Sequence, residues 1–191
     1  AVLGSSSRTF YVSGEAVYVW TDGVRAKGAR SGSFVYRLPL DGSAPSAAQA
    51  WGGPVDQFSF SEDRTAKRLN VVVRADSAGD AMWRSERTEG ATALLTLPIP
   101  GFGDGSRIVP ASAYRALPVE KDSWNFHNRF VGKHLLYSAG DFNEHSGAKP
   151  VYAVPLNGGA IVRIPLPHGV DRIDIIGADA VAIGNDMKER L

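Results

Sequence analysis

The chain has 191 residues, a hydrophobic fraction of 43%, and 21 Lys and Arg against 20 Asp and Glu, for a formal charge of +1. That length and apolar content suit one domain spanning residues 1–191 and exclude a disordered segment, while the near-neutral charge offers no overall field for nucleic acid or an anionic membrane. The absence of cysteine removes disulfides, thiol catalysis and cysteine-ligated metals, and no apolar run approaches the roughly 18 to 20 residues that span a bilayer.

The opening AVLGSSS, with neither an initiator methionine nor a charged-then-apolar leader, reads as the start of a processed or excised chain. Residues 8–12 and 16–21 are β-rich runs separated by Ser13-Gly14-Glu15, which predicts a hairpin. A polar, basic loop from Asp22 to Gly32 leads to the strand FVYRLPL. Asp41-Gly42 then marks a turn that needs positive φ, and APSAAQAWGG reads as an outer strand.

The order starts again at Val55. VDQFSFSED is expected to form a first strand, followed by a turn through Arg64 and Thr65, the apolar run RLNVVVR, a long loop from Asp76 to Gly90 and the strand ALLTLPIPG. An outer strand is expected near residues 113–117, after a glycine-rich turn. A third round runs through SWNFHNRF, KHLLYSAG, a loop from Gly140 to Lys149, VYAVPLNGG and AIVRIPL. A fourth, VDRIDIIGADAVAIGND, stops after two strands. No stretch keeps a helical period over three turns.

Three of these strands end alike, in Pro39, Pro98 and Pro155, at spacings of 59 and 57 residues. A meander repeated at that period predicts an all-β fold, a β-propeller segment of about three and a half four-stranded antiparallel blades. A β-sandwich is the alternative, which explains the strands but not the repeat. Because proline has no amide donor, Pro98 and Pro155 belong at strand ends. A half unit leaves faces and edges open, so the reading requires either the remainder of a longer chain or a homo-oligomer.

Gln57, Phe58, Ser59, Glu62 and Arg68, within PVDQFSFSEDRTAKRLNVVVR, carry a likeness to a known group of sequences. This stretch resembles a family of bacterial secreted proteins defined by a β-propeller domain. The resemblance implies an extracytoplasmic propeller of poorly defined function and brings no catalytic residue with it.

In such a fold the long loops gather on one face, where binding residues are sought first. In the second loop Trp83 and Arg84 are candidate contacts for a sugar or a protein, and Trp83 stands out as an aromatic in a polar loop. The third holds Asp141, Asn143, Glu144 and His145. Oxygen-rich spacing at Asp141, Asn143 and Glu144 suits calcium, but the downstream bidentate Glu is missing, so a polar turn is the better reading and no metal or cofactor is expected. His127 and His134 lie on one hairpin without the i, i+4 pairing of a zinc helix. No nucleophile elbow is present.

Two functions remain. One is a non-catalytic extracytoplasmic module presenting loops to a protein or carbohydrate ligand. The other is a glycan-active or other hydrolytic enzyme in which Asp56, Asn125 and Asp174, opening the first strands of successive units, converge on the propeller axis.

Overall fold

The computed structural model describes residues 8–21, 32–75, 91–119, 125–140 and 149–184. Nearly all of the three long loops, residues 22–31, 76–90 and 141–148, lies outside that set. Among the described residues the protein is all-β, sixteen strands with three short 3₁₀ turns and no helix long and apolar enough to cross a membrane. It divides into two compact units, residues 1–118 and 119–191.

In the first unit β1 (Arg8–Val12), β2 (Ala16–Thr21), β3 (Ser33–Pro39) and β4 (Ser46–Ala50) form an antiparallel meander. Ser13 closes the first turn, its hydroxyl oxygen accepting the amides of Glu15 and Ala16. Gly42 takes φ +80°, the left-handed conformation that glycine adopts without a Cβ clash.

The second round contains β5 (Gly53–Pro54), β6 (Phe60–Asp63), β7 (Arg68–Arg74), β8 (Thr92–Pro98), β9 (Asp104–Ile108) and β10 (Tyr114–Ala116). Its sheet runs β10-β8-β7-β5, with β6 also paired to β7. The outer strand β10 forms where the sequence places one, but the opening of the round differs. Residues 57–59 make a 3₁₀ turn and the strand begins only at Phe60, because Asp56 and Ser59 cap each other's backbone in a capping box. The glycine-rich connection is also more than a turn. It contains β9, which leaves its own round and pairs in parallel with β4. Gly105 lies against Ala47 there at φ +88°, a backbone conformation that side-chain-bearing residues rarely adopt.

Alternation puts Tyr18, Trp20 and Val35 of the first sheet against Phe60, Leu69, Val71 and Leu95 of the second in one core. Tyr11 stacks on Phe60 with centroids 5.5 Å apart. Strand β7 is buried from Leu69 to Val73 without a break, so both of its faces are covered, Asn70 and Val72 included.

In the second unit β11 (Asn125–Val131), β12 (His134–Gly140), β13 (Val151–Pro155) and β14 (Val162–Ile164) form a second four-stranded meander. Among the described strands β15 (Arg172–Ile176) and β16 (Asp179–Ile183) pair only with each other. Val151, Val170 and Ile173 make the local core with Leu136, Leu166 and Ala182. Beside it Phe126, Tyr137 and Tyr152 stack at 5.3 and 5.1 Å.

The proline signature has one structural meaning in all three rounds. Pro39, Pro98 and Pro155 each end the third strand of a round and stand opposite the first residue of the second, Ala16, Arg68 and His134. The residue after each proline then donates its amide to the carbonyl just before that second strand: Leu40 to Glu15 at 2.9 Å, Ile99 to Lys67 at 2.8 Å and Leu156 to Lys133 at 3.0 Å. The missing proline donor is thereby replaced by its neighbour, and the ladder closes.

Candidate binding groove

A groove of about 560 Å³ opens on the first unit where β4 and β9 end. Gly32, Gln49, Trp51, Ile108, Val109 and Pro110 line it. The unusual parallel pairing holds this wall in place. Gln49 Nε2 donates to the Gly105 carbonyl at 3.0 Å, and the Val109 amide donates to the Gln49 carbonyl at 2.8 Å. The half-buried Trp51 is fixed through its backbone amide, which donates to the Tyr114 hydroxyl at 2.8 Å. Gly32 lies against its indole, so that a Cβ there would meet the ring at 3.8 Å.

These lining residues, and Ala111 beside them, carry no charge. The groove therefore suits a neutral ligand face that stacks on an indole and accepts or donates few hydrogen bonds. Tyr114 is only 8% exposed, and burial pushes its pKa up to about 12 against the amide bond from Trp51. It stays a phenol, not a phenolate, at any physiological pH.

A second polar cluster lies between the two sheets of this unit. The fully buried Tyr18 donates its hydroxyl to Glu62 Oε1 at 2.9 Å and accepts from Arg37 Nε at 3.3 Å, and the Glu62 amide reaches the Tyr11 hydroxyl at 3.4 Å. Burial drives the Tyr18 pKa well above its ordinary value, with Arg37 opposing and Glu62 reinforcing the rise. The cluster ties β1, β2 and β3 to β6. Tyr18, Arg37 and Glu62 Oε1 are engaged with one another, while Glu62 Oε2 is buried without a hydrogen bond, which makes the cluster a clamp between sheets.

Of the residues singled out from sequence, Trp83, Arg84, Asp141, Asn143, Glu144 and His145 lie outside the described residues. Asp56 does not open a strand. It is the cap of the 57–59 turn, its carboxylate accepting the Phe58 amide at 2.8 Å and the Ser59 hydroxyl at 3.1 Å. Asn125 opens β11 opposite Gly140. Asp174 lies mid-strand in β15 between Arg172 Nε at 2.5 Å and Arg129 at 3.4 Å. Glu62 serves the clamp, while Asp63 faces Arg68 at 3.4 Å and accepts the Ala66 amide.

His127 stands opposite Ser138 and His134 opposite Val131, which places both on one face of the hairpin but four residues apart along it, roughly 13 Å. Among the described residues no group of three or more His, Asp and Glu is placed to hold a metal. Gln49, Ile108 and Pro110 carry no mark in the sequence that would single them out. The available signal was Trp51 beside Gly52-Gly53 at the end of an outer strand, an aromatic followed by a chain reversal. No protein-family model, curated protein or solved structure matches the chain.

Proposed function

We propose that the chain is a segment of a β-propeller that works as a non-catalytic binding module and receives a protein or carbohydrate ligand in the Trp51 groove. The observation that carries the reading is the uncharged groove itself, built around an indole whose backbone is pinned by a buried tyrosine. Two features of the fold support the propeller. Successive rounds are meanders with the same proline closure, and β7 is covered on both faces, as the strands of a blade stacked among others are. A location outside the cytoplasm belongs to the same proposal and rests on the likeness of residues 54–74 to secreted propeller proteins.

The carboxylates considered for catalysis have structural employment that explains their presence. Asp56 holds its own turn, and Asp174 is ion-paired with two arginines. A glycan array probed with the wild-type protein and with Trp51→Ala is the direct test. Neutral oligosaccharides retained by the wild type and lost by the variant, at unchanged circular dichroism, bear the reading out for a carbohydrate ligand. Release of reducing sugar from any bound glycan would overturn the non-catalytic part.

A further inference from the structure

We propose that the free edge of β16 is a docking site for one extended segment of the type apolar-any-apolar-proline, added antiparallel as the missing third strand of the fourth round. This goes beyond the groove reading and does not depend on it. In the three complete rounds the second strand is always covered by such a segment: Tyr36-Arg37-Leu38-Pro39 on β2, Leu95-Thr96-Leu97-Pro98 on β7 and Tyr152-Ala153-Val154-Pro155 on β12. β16 follows a hairpin turn at Gly177, φ +61°, and occupies the second-strand place, yet no described strand pairs with its outer edge.

The register of the docked segment follows from the repeat. Its proline stands opposite Asp179, the first residue of β16, as the other three stand opposite Ala16, Arg68 and His134. The amide after the proline reaches the Ala178 carbonyl, the counterpart of Glu15, Lys67 and Lys133. The two apolar side chains fall opposite Ala180 and Ala182, whose small size leaves room for large partners.

The edge is also chemically open. Strands β1, β9, β10 and β14, at other sheet edges, carry Arg8, Arg107, Arg115 and Arg163, the kind of charge that discourages strand addition. β16 reads Asp-Ala-Val-Ala-Ile, without lysine or arginine. Around it Ile175, Ile176 and Ile183 are 52%, 64% and 49% exposed. A two-stranded sheet with that much apolar surface in water gains both ladder bonds and burial from a third strand.

The test adds a synthetic peptide of residues 149–159, which contains the third strand of the preceding round, to the ¹⁵N-labelled chain and follows amide exchange. Exchange in β16 should slow at least about tenfold at saturating peptide. A scrambled peptide, and one carrying Val154→Asp, should leave it unchanged. Ala180→Lys, at an exposed position, should abolish the protection without altering the spectrum of the peptide-free protein. Absence of protection, or equal protection by the scrambled peptide, overturns the proposal. So does protection present before peptide is added, which would assign the edge to the chain's own tail, or to a second copy if it grows with protein concentration.

Discussion

Tyr114 joins the groove to the core through a single atom. Its hydroxyl accepts the Trp51 amide, and burial lifts its pKa from 10.0 to about 12. A phenol whose ionisation is raised on folding contributes stability that is complete below the unfolded value and is lost as pH climbs from there through the folded one. The Tyr114 contribution should therefore be constant from neutrality to about pH 10 and fall by roughly 2 kcal/mol by about pH 12, since a tenfold difference in proton affinity between the folded and unfolded chain is worth about 1.4 kcal/mol. Urea midpoints across that window measure it, and Tyr114→Phe should remove part of the fall. Tyr18 is raised in the same direction, so a residual alkaline loss should persist in that variant. Tyr18→Phe has a separate cost at neutral pH. It deprives Glu62 Oε1 of its donor between the sheets, and a half-buried carboxylate left short of a partner destabilises by about 1–3 kcal/mol. If Tyr18→Phe matched the wild type in urea, the clamp would contribute nothing to holding the sheets together.

The strands contribute unequally. Leu95 in β8 is fully buried in the core between the sheets, so Leu95→Ala should lower stability by about 2–5 kcal/mol, the usual cost of a lost side chain plus its cavity. Ile176→Ala, 64% exposed at the end of β15, should stay within about 0.5 kcal/mol. The third strands were legible in the sequence because they combine period-two hydrophobicity with a proline and a turn, and chain order alone put β10 and β14 after them. Two features were hidden for identifiable reasons. The run from Val55 reads as continuous β, yet the Asp56 and Ser59 side chains compete for the backbone and divert three residues into a 3₁₀ turn. β9, Asp-Gly-Ser-Arg-Ile, has no apolar alternation, and its partner β4 is more than fifty residues away in the chain. The groove depends on that pairing. Of its lining only Trp51 was noticeable, while the loop residues favoured from sequence lie outside the described part of the molecule.

At the scale of the whole molecule, the order in which hydrogen bonds open should follow how many sides of each strand are covered. β7 is paired on both edges and buried on both faces, so its amides can exchange only through large-scale opening. β12 is likewise paired on both edges, with Leu135, Tyr137, Ser138 and Ala139 buried. Among the described strands β16 has one paired edge, and it has no fully buried residue. Isolated two-stranded pairs are marginal in water, and only Ile173 of this hairpin is deeply buried. Native-state hydrogen exchange should therefore rank Val71 to Val73 slowest, β12 next and residues 179–183 fastest by several orders of magnitude. That spread would follow from described strands that cover the second strand of three rounds on both edges and that of the fourth on one. Equal protection in β16 and β7 without any added strand would mean that the edge is already covered, and the fourth round would then be complete by a route that the described strands do not contain.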